Sequence, residues 1–202
     1  MSQAYAVVAA FEGAVARHVG AEHAVALDNC TNALEMCLRY LKVGDRPDVK
    51  VRLPRHTFLS VPMAVMHAGA RPEFVNHEWV GQYRLDPYMV WDSAAQLEPG
   101  SYQGGLMCLS FQFKKPIPIG KGGMVCTGSS QVADWLRRAR YLGRRQSPFP
   151  YPLERVTELG WNRTMTPEQA ARGLTLLELA PPTKVGSWKD YPDVSVCPAW
   201  TK

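Results

Sequence analysis

Two adjacent lysines near the middle of the chain are the residues best suited to covalent chemistry. Lys114 and Lys115 follow an apolar segment, residues 106–113, which is predicted to be a strand, and a Pro-rich turn comes after them. A lysine that is partly desolvated at the end of a buried strand stays neutral and nucleophilic, so that it can form a Schiff base with a carbonyl compound. A solvated basic turn is the alternative, and composition alone favours it. The lysines by themselves leave both interpretations open and do not show which of the two would react.

The residues on either side of the lysines form a longer pattern. Ser110-Phe111 comes before them, and Pro116-Ile117 and the glycine-rich stretch 120–125 come after them. This pattern resembles the cofactor-lysine segment of the DegT/DnrJ/EryC1/StrS family of sugar aminotransferases, which use pyridoxal phosphate. The family's spacing, counted from either end of the pattern, selects Lys115 as the catalytic Schiff-base lysine and Lys114 as its neighbour. The resemblance implies pyridoxal 5'-phosphate as the cofactor.

Asp92 is the candidate for the acid that faces the pyridine nitrogen of such a cofactor. It stands at the end of a predicted strand and before small residues, so that a flat ring could approach it closely. A negative charge there keeps the pyridinium protonated, and the ring can then withdraw electrons. The segment resembles the family's Glu-Asp-Ala-Ala-Gln/His, except that Ala95 holds the Gln/His position and Gln96 comes one residue later. The resemblance implies that Asp92 is catalytic and binds the cofactor, and that Gln96 contacts the ring hydroxyl.

A phosphate-binding segment is predicted at Thr31 and Asn32. These residues lie between a predicted strand and a predicted helix, where backbone N–H groups and the helix dipole favour an anion. An ordinary helix cap is the alternative that the residues alone allow. The segment resembles the family's Gly-Thr-x-Ala-Leu, with Cys30 in place of the glycine. The resemblance implies that Thr31, Asn32 and the hydroxyl of Ser110 bind the cofactor phosphate.

Two further segments match the family pattern. Phe58 ends a stretch that resembles Pro-x-x-Thr-Phe/Trp, which implies that its ring stacks on the pyridine. Residues 160–171 resemble Gly-Tyr-Asn-Tyr-Arg-Met-Ser-Glu-x-Gln-Ala-Ala. In the family this asparagine reaches the cofactor phosphate of the neighbouring subunit. The resemblance therefore implies a homodimer in which Asn162 contributes to the neighbouring site.

Hydrophobic periodicity predicts strands that alternate with helices. The predicted strands are 24–27, 49–53, 72–75, 88–91, 106–113 and 123–127, and the predicted helices are 4–18, 33–41, 58–68, 130–142 and 166–179. This order indicates an α/β fold with a mostly parallel sheet sandwiched by helices. It resembles the large domain of fold type I aminotransferases, with the small domain absent. We expect a compact cofactor-binding domain over residues 1–180 and a C-terminal tail over 181–202.

Composition narrows the class of protein. The chain has 202 residues, 46% of them apolar, which is enough for one sizeable core. No membrane span or basic leader is predicted, so we expect a cytoplasmic protein. Five cysteines without metal-like spacing suggest reduced thiols and no metal site. The net charge of +5 suits an anionic cofactor and a phosphorylated substrate better than nucleic acid, because the basic residues are scattered.

Two hypotheses for function remain. The first is an aminotransferase that transfers an amino group from a glutamate-type donor to a keto sugar, which is nucleotide-linked. The second is a reduced, non-catalytic relative that binds the cofactor or only dimerises. Two parts of the family pattern are missing, since the segment between Val75 and Asp92 is too short for a further strand–helix unit and a short tail follows Leu179 where family members carry a small domain. The missing small domain favours the second hypothesis. The lysine, the acid and the phosphate-binding segment favour the first.

Overall fold

The computed structural model describes residues 5–146, 152–179 and 185–200. The strands in this part of the chain are β1 (His23–Leu27), β2 (Lys50–Pro54), β3 (Arg71–Val75), β4 (Tyr83–Arg84), β5 (Val90–Asp92), β6 (Leu106–Ser110) and β7 (Gly123–Thr127). The helices are α1 (Ala6–Val19), α2 (Cys30–Tyr40), α3 (Ser60–His67), α4 (Ser130–Ala139) and α5 (Pro167–Leu179). The order of elements confirms the predicted α/β class.

The main sheet has five strands in the order β1-β7-β6-β5-β4, and β2 and β3 form a separate two-stranded sheet. The pairs β5–β6 and β2–β3 are parallel, whereas β1–β7, β6–β7 and β4–β5 are antiparallel. The architecture is therefore mixed rather than mostly parallel. The connection from β6 to β7 is a loop without a crossover helix, which returns the chain in the opposite direction.

Helices cover both faces of the main sheet. Neighbouring residues of a strand therefore pack in different cores. Cys108 of β6 and Val125 of β7 pack in the core formed with α2, α3 and α4. Met107 and Met124 pack in the core formed with α1 and α5. This alternation follows from the two-residue period of a strand. The sheet is thereby fixed from both sides, and its strand ends have defined positions.

The helix starts follow the capping residues of the sequence. The side chain of Asn29 accepts a hydrogen bond of 2.8 Å from the backbone N–H of Asn32 and so begins α2. The hydroxyl of Thr166 accepts one of 3.3 Å from the backbone N–H of Gln169, whose side chain in turn accepts one of 2.9 Å from the backbone N–H of Thr166 at the start of α5. These caps begin α2 at Cys30, three residues before its predicted start, and α5 at Pro167, one residue after its predicted start. The α2 cap fixes one end of the pocket described below.

One predicted strand ends early. The strand expected over 106–113 stops at Ser110, and the chain then turns, with Lys115 N donating to Gln112 O at 2.8 Å. The loop closes where Phe111 N donates to Gly122 O at 3.0 Å. Both lysines therefore lie in the loop between β6 and β7 rather than at the strand end itself.

Residues 185–200 pack on the body of the fold. Gly81 N donates to Gly186 O at 2.7 Å, Trp188 N to Trp79 O at 3.1 Å, and Val194 N to Arg55 O at 2.9 Å. Much of the predicted tail therefore forms part of the wall around the candidate site. In the described parts of the chain, every helix is too short or too polar to span a bilayer.

Candidate cofactor site

A pocket of about 210 Å³ lies where the carboxyl ends of β5 and β6 meet the N-termini of α2 and α3. Five residues of the predicted set line it, namely Thr31, Phe58, Asp92, Ser110 and Lys115. Because β5 and β6 are parallel neighbours, their last residues, Asp92 and Ser110, reach the same edge of the sheet. The fold thus gathers residues that are up to 84 positions apart in the sequence.

Lys115 faces the pocket, whereas Lys114 is exposed and does not line it. The half-buried Lys115 donates from Nζ to the hydroxyl of Tyr191 at 3.2 Å. Its Nζ also lies 5.8 Å from the centre of the Tyr191 ring. Nζ of Lys114 instead lies over the exposed ring of Phe113. The two lysines therefore have different surroundings, and of the two Lys115 is the one that lines the pocket.

Asp92 is buried, with 6% of its surface exposed, and both of its oxygens are hydrogen-bonded. Oδ2 accepts from the Tyr83 hydroxyl at 2.6 Å, and Oδ1 accepts from Ala94 N at 3.0 Å. Burial raises the pKa of Asp92, and the hydrogen bonds from Tyr83 and Ala94 and the charge of Lys115 oppose that rise. The Thr57 hydroxyl is hydrogen-bonded to that of Tyr83. A cationic partner such as a pyridinium would relieve the remaining cost of burying this carboxylate.

Hydroxyl groups collect at the other end of the pocket, beside the N-terminus of α2. Thr31 donates from Oγ1 to Oγ of Ser60 at 2.8 Å, and Ser110 lines the same space. The exposed Lys121 adds a positive charge. Hydroxyls, a helix N-terminus and a cation together suit a phosphate group.

Gly123 allows β7 to pass close to the start of α2. A Cβ at this position would lie 2.4 Å from the carbonyl carbon of Asn29 and 2.5 Å from N of Cys30. Both are backbone atoms, so a side chain would push the helix start away from the strand. The glycine that the sequence pattern includes thus sets the distance between the lysine loop and the phosphate end.

Cys30 replaces the family's glycine with a buried thiol. Its burial, and secondly the charge of Asp92, raise the pKa of this thiol well above its ordinary value, although Lys115 acts in the opposite direction. The thiol therefore stays neutral and serves as an apolar part of the pocket wall. All five cysteines are free.

Phe58 presents an aromatic surface to the pocket. Its side chain lies at the rim, and 53% of the residue is exposed. An exposed ring of this size at the mouth of a pocket is available for stacking against a flat ligand. The stacking role that the sequence pattern implies for Phe58 remains a prediction.

Three residues of the predicted set lie outside the lining of this pocket, as the described residues form it. Nδ2 of Asn32 donates to the carboxylate of Asp28 at 2.8 and 3.0 Å, so its side chain points along α2. Gln96 lies beside Gly81, where its Oε1 would meet an added Cβ at 2.2 Å. Asn162 is exposed and pairs with Tyr141 in an isolated bridge. Its predicted role toward a neighbouring subunit remains a prediction.

Three side chains at the site lie outside the set predicted from the sequence. Ser60 follows Phe58 by two residues, and its position at the start of a helix was the available signal. Tyr83 lies in a strand of two residues that periodicity cannot detect. Tyr191 belongs to a segment without periodicity, and only its long-range contact with Lys115 reveals it.

The donor set fits pyridoxal phosphate. A lysine amine, a buried carboxylate, hydroxyls at a helix N-terminus and an exposed aromatic ring correspond to the four groups that this cofactor requires. Lys115 and Asp92 would hold its reactive carbon and its ring nitrogen. Thr31, Ser60 and Ser110 would hold its phosphate.

Solved structures with a similar fold are pyridoxal-phosphate aminotransferases of fold type I. DesV of S. venezuelae matches with a TM-score of 0.70 and 25% identity, over 85% of this chain and 56% of that chain. AtS13 of Actinomadura melliaura matches with a TM-score of 0.72 and 22% identity, over 85% and 59%, and shows the fold alone. The fold is therefore that of the fold type I enzymes.

The family follows from the sequence. A sequence model of the DegT/DnrJ/EryC1/StrS aminotransferase family matches residues 1–95 and 98–183, and the chain belongs to this family. Membership implies pyridoxal phosphate as the cofactor.

The relatives include two enzymes of amino-sugar formation and the 3-amino-5-hydroxybenzoate synthase of Amycolatopsis mediterranei, which is 40% identical over 83 residues, or 41% of this chain and 21% of that relative. The GDP-perosamine synthase of Caulobacter vibrioides is 28% identical over 214 residues, which cover 83% of this chain and 55% of the relative. The dTDP-3-amino-3,4,6-trideoxy-alpha-D-glucose transaminase of Streptomyces venezuelae is 28% identical over 182 residues, which cover 67% of this chain and 47% of the relative. The chain thus spans about half the length of these two relatives.

Proposed function

We propose that this chain is a pyridoxal-phosphate-dependent aminotransferase that acts on a nucleotide-linked keto sugar with a glutamate-type amino donor. The observation that carries the proposal is the meeting of Lys115 and Asp92 in one pocket beside the N-terminus of α2. The names of two relatives support the substrate class, since one makes a GDP-linked and the other a dTDP-linked amino sugar. The proposal includes a cytoplasmic homodimer, in which the exposed Asn162 is available to a neighbouring site.

Each residue has a defined part in this reaction. The cofactor, when bound, would withdraw electrons from the carbon that carries the amino group. Asp92 would hold its charge toward the ring nitrogen, and Tyr83 and Ala94 fix the direction of that carboxylate. Lys115 would hold the cofactor through Nζ and, once released, would carry the proton of the 1,3-shift between the two carbon atoms that flank the nitrogen, as general base and then as general acid. Phe58 would stack on the ring.

The phosphate end and the charge of the site favour anionic ligands. Thr31, Ser60 and Ser110 supply hydroxyls, and the dipole of α2 adds a partial positive charge. Lys121 stands at the same end and is exposed to solvent, where it could meet a diphosphate. The net charge of +5 acts in the same sense at longer range.

The two lysines provide a matched test. We expect purified protein with added pyridoxal phosphate to show a visible absorbance band, and borohydride to fix the cofactor on the peptide that carries Lys115. Lys115→Ala should abolish this attachment and Lys114→Ala should retain it. Attachment that survives Lys115→Ala would exclude the proposed role of this lysine.

A second measurement separates the two candidate functions. Glutamate added to the loaded protein should convert the bound cofactor to its pyridoxamine form, which changes the absorbance spectrum. A protein that binds the cofactor through Lys115 but does not respond to glutamate, or to other amino acids, would be the non-catalytic relative. Gln96 lies beside Gly81 and does not line the pocket, and this observation favours the second candidate.

A further inference from the structure

A segment outside the family match reaches the reactive lysine. The family match ends at residue 183, and Tyr191 lies beyond it. Its hydroxyl accepts the hydrogen bond of 3.2 Å from Nζ of Lys115, and the same nitrogen faces its ring. The contact therefore joins the matched part of the chain, which holds Lys115, to the C-terminal segment beyond it, which holds Tyr191.

Several bonds hold this segment in place. His56 Nδ1 lies 3.1 Å from the carbonyl oxygen of Tyr191, and Arg55 Nε donates to Oδ2 of Asp193 at 2.8 Å. The guanidinium of Arg55 lowers the pKa of Asp193, so that this carboxylate stays charged at neutral pH. Because residues on both sides of the tyrosine are tied down, its side chain has a fixed position.

Tyr191 also forms a wall with the residues around Asp92. Its ring centre lies 5.4 Å from that of Trp79, which in turn lies 4.9 Å from that of Tyr83. A cavity of about 10 Å³ between these rings is also lined by Asp92 and Phe58. The space between the lysine and the acid is therefore closed on this side by aromatic rings.

We propose that Tyr191 is a positioning residue for Lys115: it holds Nζ against this aromatic wall and fixes the side from which the amine meets a carbonyl compound. The identity of that carbonyl compound rests on the proposed function, whereas the restraint on Lys115 does not. An amine that must leave a hydrogen bond and an aromatic ring before it reacts is slower toward an added reagent than a free one. Removal of the Tyr191 hydroxyl should weaken this restraint and leave the ring in place.

The first experiment uses the full chain without cofactor. Lysines are modified for short times with trinitrobenzenesulfonate, and each site is quantified by mass spectrometry. Tyr191→Phe is expected to raise the modification rate of Lys115 by roughly 2- to 10-fold, the factor for one hydrogen bond. The rate of the exposed Lys114 should not change. Tyr40→Phe is the matched control, because Tyr40 ends α2 on the side away from the pocket.

A folding check accompanies these rates. Cys126 is fully buried, so its reaction with a thiol reagent reports loss of structure. Equal rates for Lys115 in the wild type and in Tyr191→Phe, with Cys126 protected in both, would overturn the proposal. A change in Lys115 that tracks exposure of Cys126 would overturn it as well, since unfolding would then explain the rate.

The second experiment follows the growth of the visible band after pyridoxal phosphate is added to the protein. Tyr191→Phe should form the band roughly 2- to 10-fold faster than the wild type, because its amine has no hydrogen bond to leave, whereas Tyr40→Phe should form it at the wild-type rate. Superimposed time courses for Tyr191→Phe and the wild type would contradict the role of the hydroxyl. If no protein shows a band, the proposed function fails, and the modification rates alone decide the role of Tyr191.

Discussion

The hydroxyl of Tyr83 donates a hydrogen bond of 2.6 Å to Oδ2 of the buried Asp92. Tyr83 lies on β4 and Asp92 on β5, and the two residues are direct partners in this antiparallel pair. The short hairpin therefore places a donor on the carboxylate that the proposed cofactor needs. Burial raises the pKa of the Asp92 carboxyl group and these hydrogen bonds lower it. Two predictions with a defined direction follow.

Asp92→Asn is expected to stabilise the cofactor-free protein at neutral pH. Burial raises the pKa of Asp92 in the folded state. Between the ordinary pKa of a carboxyl group and this raised pKa, the folded state therefore holds a proton that the unfolded state has lost. Wild-type stability therefore falls as pH rises through that range toward the raised pKa, and the asparagine variant escapes this loss. Urea unfolding measured across pH should show an advantage of the variant that disappears at acidic pH.

The matched control for this variant is Asp48→Asn, because the Asp48 side chain is 74% exposed. Its stability should stay within about 0.5 kcal/mol of the wild type at every pH. An Asp92→Asn protein that is less stable than the wild type at neutral pH would show that the hydrogen bonds outweigh the cost of burial.

Tyr83→Phe should weaken cofactor binding in a pH-dependent way. The hydrogen bond from Tyr83 lowers the pKa of Asp92, so its loss should raise that pKa further and neutralise the carboxylate at higher pH. We expect a loss of affinity for pyridoxal phosphate of roughly 2- to 10-fold, which is largest at the acidic end. Titration at several pH values measures this effect, and a loss that is independent of pH would point to altered packing instead.

The sequence identified two residues of the pocket better than it identified their surroundings. Lys115 and Asp92 were placed by local patterns, and parallel neighbouring strands then brought the end of β5 to the lysine loop. Gln96 does not line the pocket as the described residues form it, and its contact with the ring hydroxyl remains a prediction. Strand directions were predicted less well, since periodicity reports which face is buried but not which way a strand runs. Tyr191 was out of reach because 76 residues separate it from Lys115.

A buried ion pair secures the outer edge of the main sheet. Glu12 of α1 and Arg140, just after α4, pair beside the edge strand β1, and both are buried. Oε1 of Glu12 also accepts from Ala26 N at 2.9 Å, and Arg140 donates to the carbonyl oxygen of Ala26. The pair thus satisfies backbone groups at an edge of the sheet, where β1 is the last strand among the described residues.

Glu12→Ala should destabilise the protein by about 3–5 kcal/mol, because it leaves the charge of Arg140 buried and unpaired. Glu73→Ala, which removes the exposed pair with Lys50, should cost less than about 1 kcal/mol. Chemical denaturation of both variants gives the comparison. Similar costs for the two variants would show that solvent reaches Arg140 when its partner is lost.

Thr31→Val tests the phosphate end of the pocket without changing the shape of the side chain. The Thr31 hydroxyl lies 2.8 Å from that of Ser60 and faces the space in front of α2. If it binds the cofactor phosphate, its loss removes a hydrogen bond to a charged group, which is worth about 1.5–3 kcal/mol or roughly 10- to 100-fold in affinity. The loss should appear for pyridoxal phosphate and not for pyridoxal, which lacks the phosphate.

The matched control is Thr175→Val, which removes an exposed hydroxyl of α5 and should leave both affinities unchanged. Equal losses for the two ligands in Thr31→Val would indicate a general distortion, and no loss would place the phosphate elsewhere.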